Sequence, residues 1–63
     1  MRNSERIEPL MKRLTECWKQ YPDWRMSQFL YNLFRAFEFD PFYMEDEQFI
    51  EKVESYFNSL KGE

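Results

Sequence analysis

Three segments of this chain place apolar residues at steps of three and four, and Pro22 and Pro41 separate the segments. This spacing puts the apolar side chains on one face of an α-helix, whereas a half-buried strand would need strict alternation. Proline also disfavours helical geometry at the residue before it. The sequence therefore predicts one all-α domain over residues 1–63, a three-helix bundle. Its helices are expected near residues 8–20, 25–37 and 45–60.

The sequence offers candidate capping residues for the second and third helices. Either Asp23 or Ser27 could cap the second helix. At the start of the third, Glu45 in the cap position would let the Gln48 side chain reach back to the Glu45 backbone N–H. Gly62 is available to end the third helix.

Packing has to supply the stability of such a chain, because its single cysteine cannot form an internal disulfide. Aromatic residues make up 21% of the sequence, and each large ring buries roughly 150–250 Å². Phe34→Ala is expected to cost on the order of 3–5 kcal/mol. The positions predicted to share the core are Ile7, Leu10, Met11, Leu14, Trp18, Met26, Phe29, Leu30, Leu33, Phe34, Phe37, Phe42, Phe49, Ile50, Val53, Phe57 and Leu60.

The two signs of charge are unevenly placed along the chain, whose net charge is -3. Residues 1–25 carry six Lys/Arg against four Asp/Glu, whereas residues 26–63 carry three against eight. This asymmetry predicts that the first helix lies beside the last with complementary faces. The basic excess is too small for a surface that tracks phosphates.

Residue types needed for most catalysis are missing. The chain has no histidine, one cysteine and one glycine, so it lacks the usual zinc ligand sets, nucleophile–base pairs and glycine-rich phosphate loops. We expect no enzyme activity, no cofactor and no bound metal. The rival hypothesis is a metal-dependent hydrolase that uses Asp40, Glu45 and Asp46, although their spacing is unlike that of a calcium loop.

Two other features have plain structural interpretations. Arg25 and Arg35 lie on a polar stripe beside Tyr31, which would make at most a weak nucleic-acid binder, and a solvated face is favoured. Cys17 near the end of the first helix is expected to be a part-buried, inert thiol. No apolar run is long enough to span a bilayer, so we expect no membrane partner and a cytoplasmic location.

Several large side chains remain once the core is assigned, and they point to a protein partner. Tyrosine and tryptophan are enriched at the centres of protein interfaces. The candidate interface residues are Trp24, Tyr31, Phe39 and Tyr43. The alternative is that these rings close the ends of the bundle. A homodimer with Trp24 and Tyr31 at the contact is favoured over a monomer, because so small a surface would otherwise expose a large apolar patch.

Two polar pieces carry a resemblance: Pro-Asp-x-Arg-x-x-Gln at residues 22–28 and Asp-Pro-Phe-Tyr-x-Glu-Asp at residues 40–46. With Arg6, Ile7, Pro9 and Trp18, they make the chain resemble a set of small bacterial and prophage-encoded helical proteins that have no assigned activity. A looser likeness is to a small helical family of enteric bacteria. The resemblance implies a cytoplasmic helical fold and nothing about catalysis.

The same resemblance draws attention to polar residues at the two hinges. Arg25 is expected to bridge to Asp40 or Asp46, which would tie both loops into one end of the bundle. The residues of this predicted structural hinge are Asp23, Arg25, Gln28, Asp40 and Asp46.

Overall fold

The computed structural model describes residues 2–61, and the predicted all-α three-helix fold is confirmed. A short 3-10 helix, Ser4–Arg6, leads into α1, Ile7–Lys19. The other helices are α2, Met26–Phe34, and α3, Asp46–Lys61. No strand occurs within the described residues. Gly62, predicted to end the third helix, lies outside them.

Ion pairs join α1 and the 3-10 helix before it to α3, as the charge asymmetry predicts. The Arg6 guanidinium lies 2.7 Å from the Asp46 carboxylate, at the start of α3. Arg13 donates hydrogen bonds to Glu54 at 2.8 and 2.9 Å and to Glu47 at 2.9 Å. The basic first helix therefore lies along the acidic third helix.

The second helix begins at Met26, and neither Asp23 nor Ser27 caps it. Arg25 occupies the cap position with an extended backbone, φ -69° and ψ 159°. The Gln28 side-chain oxygen accepts a hydrogen bond from the Arg25 backbone N–H at 2.8 Å. This bond is half of a capping box, and it satisfies a donor that the helix leaves unpaired.

The second helix also ends earlier than predicted, at Phe34 instead of near residue 37. The backbone N–H groups of Arg35, Ala36 and Phe37 each donate to the carbonyl three residues earlier, at 3.1 to 3.3 Å. Such bonds tighten the last turn. The chain then turns so that the Phe37 ring stacks on Phe49 of α3, with ring centres 5.0 Å apart.

The predicted capping box at the start of the third helix is wrong. The Glu45 backbone carbonyl does accept from the Phe49 N–H at 2.9 Å. The Glu45 carboxylate, however, accepts two hydrogen bonds of 3.1 Å from Arg2. Within residues 2–61, the Gln48 side chain makes no bond to the Glu45 N–H.

The core forms where α1 and α2 pack against α3. Phe57 is fully buried, and its ring lies 5.5 Å from Phe29, 5.8 Å from Tyr21 and 6.1 Å from Trp24, measured between centres. The predicted core positions Phe29, Leu33, Ile50, Val53 and Phe57 are confirmed as buried, and Cys17 joins them.

Six positions predicted for the core are exposed instead. Helices α1 and α2 each pack on α3 more than on one another, so the part of each apolar stripe that turns away from α3 stays uncovered. The exposed positions are Ile7, Met11, Met26, Leu30, Phe34 and Phe42. Conversely, Tyr21, Trp24 and Tyr56, which were left out of the predicted core, pack against it.

Candidate binding surface

An apolar groove of about 410 Å³ lies between α1 and α2. The α1 residues that line it follow an i, i+3, i+4, i+7 spacing, and the α2 residues follow i, i+3, i+4, so each helix presents one continuous edge. We call this surface the α1–α2 groove. Its lining residues are Met11, Leu14, Thr15, Trp18, Met26, Phe29 and Leu30.

The floor of the groove is fixed by contacts between the two helices. The Trp18 and Phe29 rings stack with centres 5.4 Å apart and planes 9° from parallel. The Trp18 indole N–H also donates to the Trp24 backbone carbonyl at 3.0 Å. This bond ties α1 to the connection that precedes α2, so the floor is held in place before anything binds.

The walls of the groove are exposed to solvent. The exposed fraction is 54% for Met11, 60% for Met26 and 43% for Leu30. Methionine side chains are unbranched and polarisable, so they adapt to different partner surfaces. The groove therefore combines a rigid aromatic floor with adjustable walls.

A row of exposed residues borders the groove along the outer side of α1. Lys12, Thr15 and Lys19 share an i, i+3, i+7 spacing, and Thr15 itself lines the groove. Glu8 precedes Lys12 by four residues on the same side. Within residues 2–61, Glu8 and Lys12 make no ion pair, whereas Lys19 reaches Glu16 at 3.9 Å. We call Glu8, Lys12, Thr15 and Lys19 the outer edge.

The structure separates Trp24 from the other candidate interface residues. Trp24 is half-buried, and its ring stacks on Tyr21 with centres 4.4 Å apart. Tyr31, Phe39 and Tyr43 are exposed, and Tyr43 is 91% accessible. Trp24 is thus part of the core's aromatic cluster, and only three of the four candidates are free to meet a partner.

The predicted polar hinge does not assemble. The ion pair expected between Arg25 and Asp40 or Asp46 is absent from the described part of the chain. Asp46 pairs with Arg6 instead, and the Asp40 carboxylate accepts the Phe42 backbone N–H at 3.0 Å. Asp23 makes no ion pair within residues 2–61. Of this predicted set, Gln28 has a clear role, at the start of α2.

The structure also places the carboxylates of the rival hypothesis. Within residues 2–61, no group of three or more cysteine, aspartate or glutamate side chains is placed to hold a metal ion. Arg2 pairs with Glu45 and Arg6 with Asp46, so two of the three carboxylates in the rival hypothesis already have cationic partners. Cys17 is buried, and desolvation raises the pKa of its thiol, which disfavours the reactive thiolate.

The groove cannot be predicted when each apolar stripe is taken as a single face of its helix. On α1, Cys17 lies in the core cluster, Leu14 and Trp18 both pack against that cluster and line the groove, and Met11 lines the groove only. A stripe this wide is more than one neighbouring helix covers. That width, and the two methionines among the groove walls, are the signals in the sequence that indicate a second covered face.

No protein-family model, no curated protein and no solved structure matches this chain. Within residues 2–61, no helix is both long enough and apolar enough to cross a membrane.

Proposed function

We propose that this protein is a non-enzymatic module that binds another protein chain, and that the α1–α2 groove is its binding surface. The observation that carries the proposal is the groove itself, with an ordered Trp18–Phe29 floor between the exposed side chains of Met11, Met26 and Leu30. Exposed apolar surface of this kind on a small domain is typical of interaction sites. The cytoplasmic setting predicted from the sequence is retained.

The shape of the groove favours an amphipathic helix as the bound element. Two helices side by side leave a channel between them, and a third helix fits such a channel when its apolar residues recur at i, i+3, i+4 and i+7. The groove then becomes the centre of an interface, where large apolar side chains contribute most of the binding energy.

Tyr31, Phe39 and Tyr43 are further candidate contact residues outside the groove lining. They are exposed, and Tyr43 packs edge-on against the exposed Phe42, with ring centres 4.9 Å apart. This pair lies in the connection between α2 and α3, away from the groove lining.

The alternative functions have less support. A metal-dependent enzyme would need Asp40, Glu45 and Asp46 on one ion, and the last two pair with arginines. Calorimetric titration with magnesium, calcium and manganese is expected to show no binding, and binding abolished by Asp46→Ala would favour the enzyme. Nucleic-acid binding through Arg25 and Arg35 would appear as salt-dependent retention on DNA or RNA; we expect none.

Site-specific photocrosslinking in cells tests the proposal. Photoreactive benzoylphenylalanine replaces Leu30 in the groove or, as the control, Lys52, which is exposed on α3. We expect a covalent adduct with a protein chain from position 30 and none from position 52. Equal adducts from both positions, or none from either, would contradict a binding role for the groove.

A further inference from the structure

The protein exposes more surface than a compact monomer of its mass. Its accessible surface is 5375 Å², whereas size scaling gives about 4,450 Å² for a chain of 8.0 kDa. The excess is about 900 Å², and each partner in a standard protein interface buries about 800 Å². The extra surface is therefore of the size that one stable contact would cover.

The chain is also more extended than a compact domain of the same length. The radius of gyration is 12.1 Å, against about 10.6 Å for a compact domain of 63 residues. The molecule measures 39 by 24 by 21 Å. The α1–α2 groove is exposed apolar surface on one side of this elongated bundle.

The charges along the outer edge are self-complementary. Glu8 lies at one end of this edge, Lys19 at the other, and Lys12 and Thr15 lie between them. When two copies of the edge run antiparallel, the acidic end of one meets the basic end of the other. Glu8 then faces the partner's Lys19, and Lys12 faces the partner's uncharged Thr15.

We propose that the α1–α2 groove is covered by a second copy of this chain, held by a two-fold axis that places the two α1 helices antiparallel. The axis lies in the plane of contact and crosses the helices at right angles, so the two outer edges coincide. Each α1 then lies over the partner's α1 and each α2 over the partner's α2, so the walls of the two grooves meet, and Met11, Met26 and Leu30 of both protomers form the centre. This inference rests on the proposed function, because it names the partner of the same surface.

A two-fold contact also suits the size of the chain. A small domain without disulfide or metal has a thin margin of stability, and association with a folded copy stabilises the native state by mass action. Isologous two-fold dimers are the commonest closed arrangement of identical chains. An unrelated amphipathic helix would fill the groove equally well, but it would not explain the antiparallel charge order on the outer edge.

Sedimentation equilibrium across a hundredfold range of concentration tests the dimer. We expect the wild-type mass to rise from 8.0 kDa toward about twice that value. Met26→Glu places a charge at the centre of the contact and should weaken association at least 100-fold. Lys52→Glu, exposed on α3, is the control and should leave association unchanged. Tyr43→Glu probes the connection between α2 and α3. Circular dichroism verifies that all three variants keep their helices.

Two results would overturn the proposal. One is a constant mass of 8.0 kDa at all concentrations. The other is a dimer that Tyr43→Glu disrupts and Met26→Glu does not, which would place the contact in the loop. A monomer that still crosslinks to a different protein through position 30 would refute the dimer and leave the proposed function intact.

Charge reversal tests the antiparallel arrangement itself. Glu8→Lys and Lys19→Glu should each weaken the dimer by roughly 2- to 10-fold, because each brings like charges together across the contact. The double variant restores opposite charges at the same places, and we expect it to regain most of the wild-type affinity. Additive weakening in the double variant would contradict the arrangement.

Discussion

At the scale of single residues, Arg13 makes the most polar contacts between α1 and α3. Its guanidinium donates two hydrogen bonds to Glu54 and one to Glu47. Two parallel bonds to one carboxylate fix both the distance and the angle between the side chains. The hydrogen bonds from Arg13 hold the pKa of the Glu54 carboxyl below its ordinary value.

This lowered pKa predicts a pH dependence of stability. The contribution is fully present above the unfolded-state pKa of glutamate, about 4.3, and it is lost as the pH falls toward the lower folded-state pKa. Arg13→Gln should therefore be less stable than wild type at neutral pH, with a gap that narrows below pH ~4. Urea unfolding of both proteins from pH 7 to pH 3 measures this difference in the free energy of unfolding. A gap that stays constant with pH would show that Arg13 acts through packing alone.

The Cys17 thiol should react slowly with thiol reagents in the folded protein. Its side chain is 4% exposed, and burial raises the pKa of the thiol. Modification by a thiol reagent therefore requires an opening of the structure. We expect the rate with Ellman's reagent to rise on the order of 100-fold or more when urea unfolds the chain. Similar rates in the native and unfolded states would mean that the α1 end opens freely.

At the scale of the helices, the start of α2 depends on a single side chain. The Gln28 oxygen accepts the Arg25 N–H at 2.8 Å. Gln28→Ala removes that acceptor and should lower the free energy of unfolding by about 0.5–1.5 kcal/mol. Gln28→Glu keeps an acceptor and adds a charge that suits the helix N-terminus, so it should restore stability. Urea unfolding compares the three, and equal losses in both variants would refute the bond's role.

At the scale of the whole molecule, one buried ring holds the three helices together. Phe57 of α3 is fully buried against Phe29 of α2 and against Tyr21 and Trp24 of the connection between α1 and α2. It shares its core cluster with Cys17 of α1. Phe57→Ala should cost about 3–5 kcal/mol, which is comparable with the whole stability of a chain this short, about 3–9 kcal/mol. We expect loss of the cooperative thermal transition in circular dichroism.

Phe34→Ala is the matched comparison for Phe57→Ala. Phe34 is 54% exposed, so the 3–5 kcal/mol predicted for it from the sequence is too large. Only about half of the Phe34 side chain is buried in the folded protein. Phe34→Ala should therefore lower the free energy of unfolding by less than about 2 kcal/mol. A folded Phe34→Ala chain beside an unfolded Phe57→Ala chain is the expected outcome. The reverse order of stability would contradict the packing described above.

The sequence by itself determined the features that depend on neighbours along the chain. Steps of three and four place Phe29 and Leu33, or Ile50, Val53 and Phe57, on one side of a helix whatever lies beyond it. The uneven charge likewise determined that α1 and α3 meet, because opposite signs lower the energy of that pairing.

Only the tertiary structure decided which part of each stripe is covered. A helical stripe specifies a direction around the helix axis, but it does not say how many neighbours surround that helix. With α1 and α2 both packed mainly on α3, Met26 and Leu30 are left in the open groove, whereas Trp24 is drawn into contact with Phe57. These outcomes depend on contacts between residues far apart in sequence, and local spacing carries no information about them.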